Sequence, residues 1–87
     1  MKLADYFKTP GAQAALAKKT KIHAPLLSVW ASFKRETPID RCTLLERETD
    51  GAVKRWDLRP HDWYLHWPEL VGADGAPEVA AEAGEGA

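Results

Sequence analysis

An 87-residue chain that is 45% hydrophobic and 29% charged has room for one globular domain of ordinary composition, with a net charge of only −1. A chain this short buries about 60 to 65% of its unfolded surface, which leaves little interior for a catalytic cavity, so a binding protein is expected and an enzyme is not. The single cysteine, Cys42, excludes an internal disulfide, and no window reaches the roughly 18 apolar residues needed to span a bilayer.

The first residues lack the charged and apolar regions of a secretory signal, so a reducing, cytoplasmic setting is expected. Leu3, Tyr6 and Phe7 at i, i+3, i+4 predict a short first helix that stops before Pro10. Thr9 as N-cap and Pro10 at the first helical position predict a second helix, Pro10 to Thr20, with Ala12, Leu16 and Ala17 inward. The pattern breaks at Lys21 and Ile22, then resumes from Ala24 to Phe33 through Leu27 and Trp30, with Pro25 tolerated in the first turn. Thr37-Pro38-Ile39-Asp40 has the form of a capping box. It predicts a fourth helix to about Thr49, with Cys42, Leu45 and Thr49 inward and a left-handed end at Asp50-Gly51.

Val53, Trp56 and Leu58 predict one more short turn or helix on the core. Pro60 then starts a final short helix with Trp63, Leu65 and Trp67, closed by Pro68 and anchored by Leu70. No window alternates at period two long enough for a strand. The last stretch, GADGAPEVAAEAGEGA, has one branched aliphatic residue, Val79, and predicts a disordered acidic tail. The expectation is an all-α domain of five helices over residues 1–71 and a tail over 72–87.

Charge is divided along this plan. Residues 1–35 carry seven Lys or Arg against one acid, net +6, whereas residues 36–71 have net −3 and residues 72–87 net −4. One end of the molecule should attract polyanions, nucleic acid more than a membrane, unless it is simply a solvated basic face.

Two short helices joined by a tight turn form the helix-turn-helix pattern. With Gln13 as the first position of the unit, Leu16, Thr20, Ile22, Leu27 and Trp30 fall where the two helices must bury side chains against each other. Ala17 sits where only a small residue lets them cross closely. Lys21 falls at the turn, where a positive φ is needed and glycine is easiest.

The run PGAQAALAKKT, IHAPLLS, WAS and KR, followed by P-x-x-RC-x-x-x-E-x-x-T-x-GAV-x-x-W-x-LRP, resembles the YdaS-type antitoxin and Cro-like repressor family of prophages over residues 2 to about 60. The resemblance implies a small Cro/repressor-like helix-turn-helix domain that binds double-stranded DNA, often as a homodimer, and represses a promoter. Carried onto this chain, it implies that Gln13 holds a phosphate. His23, Ala24, Pro25, Ser28, Val29 and Ser32 would face the groove, and Lys34 and Arg35 would sit near the backbone. Proteins of that kind typically have Gly at the turn, Gln in Ser-Gln-Trp and Gly before Lys-Arg, where this chain has Lys21, Val29 and Phe33.

Leu26, Val29 and Phe33 at i, i+3, i+7 make an apolar stripe on the outer side of the third helix, extended by Ile39 and Leu44. Three readings stay open at this point: buried core, a DNA face that works by methyl contacts and shape, or a patch that binds a protein partner. Trp56, Trp63, Tyr64 and Trp67 are assigned mostly to packing. No cofactor, metal or catalytic residue is expected. Asp62 and His66 at i, i+4 suit a surface ion pair better than a metal, Cys42 reads as core, and His23 as a helix cap.

Overall fold

A computed structural model of the protein describes residues 1–79, and every regular element among them is helical. In chain order these are α1 (Leu3–Tyr6), α2 (Ala12–Thr20), α3 (Ala24–Ala31), α4 (Ile39–Glu48), α5 (Arg55–Leu58) and α6 (Trp63–His66), followed by a 3-10 turn at Pro68–Leu70. Six helices stand where five were expected, because the segment around Trp56 closes a helical turn of its own. The Asp57 carboxylate caps that turn by accepting the Lys54 N–H at 2.9 Å. No helix among the described residues is long and apolar enough to cross a membrane.

α2 packs against both α3 and α4, α1 packs against α3, and α5 joins α4 to α6. The shared core is closed by Leu16, Leu27, Cys42, Leu45 and Val53, and the inward positions at Ile22, Trp30 and Thr49 are buried as their spacing requires. Ala17, at the close crossing, is half-buried against this cluster. Trp63 meets Trp56 edge-on at 5.7 Å and Tyr64 at 6.0 Å, so the C-terminal aromatics are packing residues.

Several helix ends differ from expectation, each for a local reason. α2 begins at Ala12, not Pro10, because Gly11 takes φ +82° as the N-cap, a conformation that glycine adopts without strain. α3 ends at Ala31. Its last turn is closed by Phe33 N–H to Trp30 O and Lys34 N–H to Val29 O, both 3.1 Å, with Phe33 at φ +60°. α4 begins at Ile39, and Thr37 does not cap it. Thr37 is drawn into the core, its carbonyl accepts from Arg59 at 2.8 Å, and its hydroxyl is buried without a partner. α6 begins at Trp63 rather than Pro60. Leu65 is 69% exposed, since residues spaced i, i+2, i+4 cannot share one helix face and Trp63 and Trp67 take the core.

α4 ends as read, with Asp50 at φ +55° and Gly51 at φ +80°. In the segment expected to form the tail, Ala76 and Val79 pack against the core, while residues 80–87 lie outside the described residues.

Cys42 is fully buried, and burial pushes its thiol up to about 12. We expect it to resist a thiol reagent at pH 8 in the native protein and to react once the chain is denatured. Equal rates in the two states would show the site to be open. The folded-state pKa is the higher one, so stability should be unaffected below the unfolded thiol's pKa of about 8.5 and should fall as pH rises above it.

Candidate nucleic-acid interface

The turn between α2 and α3 is set by three residues. Thr20 donates from Oγ1 to Leu16 O at 2.8 Å and accepts the Ile22 N–H at 3.2 Å, which fixes the chain as it leaves α2. Lys21 then takes φ +60°, the left-handed conformation the spacing required, at about 1 kcal/mol for a residue with a Cβ. Ile22 is buried and pins the turn to the core. His23 stands at the N-cap of α3 but makes no side-chain cap bond, contrary to expectation. Its carbonyl accepts from Leu26 and Leu27, and its imidazole is left exposed.

Along α3 the structure exposes Pro25 and Ser28, with Ser32 exposed just past its end, and half-buries Ala24 and Val29. Ser32 is turned back on the helix, its Oγ donating to Val29 O at 3.1 Å. Gln13, in the first turn of α2, reaches across to α3. Its Nε2 donates to Ala24 O at 2.9 Å and to Ser28 Oγ at 2.6 Å. Both amide hydrogens are therefore engaged inside the protein, and what the side chain still offers is an acceptor oxygen. A phosphate would be repelled by that oxygen, so the phosphate grip expected of the Gln13 side chain is not available in this arrangement.

The cations of the two halves differ in their surroundings. Of the seven in residues 1–35, only Lys8 has an acidic partner within 4 Å among the described residues, the exposed Asp5. Between residues 36 and 71, Arg47, Arg55 and Arg59 are paired with Glu48, Glu46 and Asp62 respectively, and only Arg41 and Lys54 have no such partner among the described residues. Lys18, Lys19 and Lys21 at the end of α2, and Lys34 and Arg35 beyond α3, thus flank the turn and the helix with uncompensated charge. Cations near helix C-termini also suit the helix dipole, but that interaction is worth only about 0.3 to 1 kcal/mol each.

The apolar stripe divides. Val29, Ile39 and Leu44 pack against the core, whereas Leu26 is 37% and Phe33 45% exposed. Phe33 holds the left-handed position that closes α3, where glycine is usual.

Sequence reasoning missed a polar cluster that joins the α3–α4 connection to the α5–α6 connection. Arg59 donates through Nε and Nη2 to the two Asp62 oxygens at 3.0 and 2.7 Å, and through Nη1 and Nη2 to Thr37 O and Glu36. His61 hydrogen-bonds Glu36, and His66 lies 3.2 Å from Asp62, the i, i+4 pair that was expected. The Arg59 hydrogen bond holds the Asp62 carboxyl below the usual carboxylate range. Glu36, His61 and Asp62 bring metal-ligand atoms together, but a guanidinium already occupies and neutralises the carboxylates, so the cluster acts as a clamp between segments.

Fold and surface together define a small protein, all-helical among the described residues, in which five of the eight lysines and arginines without an acidic partner there flank one turn and one helix. The chain belongs to the YdaS family: residues 3–66 match the family described as "Bacterial toxin YdaS". It is similar to "Putative transcriptional regulator YdaS" of Escherichia coli (strain K12), with 37% identity over 54 residues that make up 61% of this chain and 55% of that protein. The chain thus spans about half the length of the curated relative it matches. No solved structure matches it.

Proposed function

We propose that this protein is a DNA-binding transcriptional regulator, not an enzyme, and that α2, the Lys21 turn and α3 form its helix-turn-helix, with α3 laid in the major groove. The observation that carries this reading is the set of five cations, Lys18, Lys19, Lys21, Lys34 and Arg35, left without acidic partners among the described residues. They contact phosphates, while Pro25, Leu26, Ser28 and Ser32 face the bases. The backbone N–H of Gln13, at the start of α2, takes over the phosphate role that its side chain cannot fill. A homodimer on an inverted repeat is the matching assembly. The name of the relative as a transcriptional regulator supports the same reading.

Fluorescence anisotropy with labelled duplexes, random and inverted-repeat, tests it at about 50 and 200 mM salt. Five phosphate contacts give a log–log salt slope near −4.5, so affinity should fall about 500-fold over that range. No binding at 50 mM would overturn the proposal.

One observation favours a second reading, in which α3 presents a protein-binding patch. A half-exposed phenylalanine held at φ +60° is retained at a cost of about 1 kcal/mol, and strain of this kind clusters at functional positions. The Phe33→Gly variant removes the strain and the ring together. Its thermal stability should match or exceed that of the parent, while affinity for a protein partner anchored on Phe33 should fall by about 2 kcal/mol or more. DNA affinity that survives the change would leave the helix-turn-helix reading intact.

A further inference from the structure

The hydrogen-bond arithmetic between α2 and α3 fixes what this surface offers to a base. Ala24 O can only accept, so the atom 2.9 Å from it must be the Gln13 amide nitrogen, and the reverse amide orientation would set two acceptors against each other. The nitrogen has two hydrogens, one directed to Ala24 O and the other to Ser28 Oγ at 2.6 Å. Ser28 Oγ is therefore an acceptor towards Gln13, and its own hydrogen is donated to no protein acceptor among the described residues. Ser28 is exposed, and the only buried polar side-chain atom without a partner among the described residues is the Thr37 hydroxyl. Gln13 Oε1, which also lacks a protein donor there, is accordingly open to solvent. Both residues line the open cleft shared by Phe7, Gly11, Ala24 and Pro25.

We propose that Gln13 and Ser28 form one composite reader for adenine in the major groove, Ser28 Oγ–H donating to N7 and Gln13 Oε1 accepting from the N6 amino group. This rests on the DNA-binding reading above and goes beyond it by naming the base. Adenine alone presents an acceptor beside a donor on one purine edge, whereas guanine presents N7 and O6, two acceptors, and O6 would face Gln13 Oε1. Because Nε2 is locked by Ala24 O, the pair cannot reverse its polarity to suit guanine. Neither residue reads the base alone: Gln13 orients Ser28, and Ser28 fills the place beside it.

The test begins by selecting tight duplexes from a randomised pool with the full chain, then replacing adenines in the selected site one at a time by 7-deazaadenine, which lacks N7. The expected result is one adenine at which 7-deazaadenine weakens the parent about 10-fold or more and guanine about 10- to 100-fold. In the Ser28→Ala variant, the same 7-deaza replacement should make no further difference. Ser28 is exposed, so that variant keeps its fold, as a thermal melt would verify. Selected binding without any such coupled adenine would overturn the composite reader while leaving DNA binding in place. Failure to select any duplex would overturn both.

Discussion

Replacing Arg59 with alanine is expected to destabilise the protein by about 3 kcal/mol. The side chain keeps only 11% exposure and its main partner Asp62 19%, and removing one member of such a pair leaves the other half-buried with only His66 beside it. Arg59 also supplies the donor to Thr37 O, so the α3–α4 connection loses its tie to the α5–α6 connection at the same stroke. In a domain of this size the melting temperature should drop by about 12 to 24 °C. Arg59→Lys should recover less than half, since an ammonium cannot fork onto both Asp62 oxygens while also reaching Thr37 O.

The pH dependence identifies the cause. Pairing holds the folded-state pKa of Asp62 below its unfolded value near 3.9, so the stabilisation is complete above that value and is lost as pH falls through the folded pKa. The difference between parent and variant should thus be flat from about pH 5 to 8 and shrink below about pH 4. Glu36, His61 and His66 face the same groups, so the comparison is best made in a background with both imidazoles replaced by alanine. A difference that persists unchanged to pH 2 would assign the loss to the packed stem of Arg59 rather than to the ion pair.

What was legible in the sequence was whatever rests on spacing within one helix or one turn. The inward set Leu16, Leu27, Trp30, Cys42 and Leu45, the left-handed Lys21 and the end of α4 at Asp50 all follow from local periodicity and backbone sterics. The features that were missed depend on pairs far apart in the chain. Arg59 meets Thr37 across 22 residues, and Gln13 meets Ser28 across 15. No local pattern announces either pairing. Thr37 shows how the two levels compete: its sequence context is that of a cap, but burial and the Arg59 bond to its carbonyl determine where it goes. The start of α2 has the same lesson at short range, since Gly11 as a left-handed cap displaced the more conventional Thr9-Pro10 start.

The candidate interface was legible in its charge and in its helices, but not in its hydrogen bonding. The phosphate role of Gln13 comes from the family resemblance and not from any pattern in the residues around it. Only the positions of Ala24 O and Ser28 Oγ show that its donors face inward and its acceptor outward.

Lys34→Ala combined with Arg35→Ala should weaken duplex binding about 50-fold near 100 mM salt and lower the magnitude of the salt slope by about 1.8, the loss of two phosphate contacts. The position of Lys34 is set by the end of α3, since its N–H is bonded to Val29 O at 3.1 Å, so its charge is delivered at a fixed place beside the groove-facing helix. The loss should be nearly uniform across sequences, because phosphates carry no base identity. Stability should change by less than about 1 kcal/mol per residue, the scale of a cation at a helix C-terminus. Arg47→Ala provides the decisive comparison, since it removes one charge from an exposed arginine that is already paired with Glu48. If overall charge governed binding, Arg47→Ala would flatten the slope by about half as much as the double variant. If the cations around α3 govern it, Arg47→Ala should leave the slope unchanged, and an equal effect per charge at both places would reject α3 as the docking element.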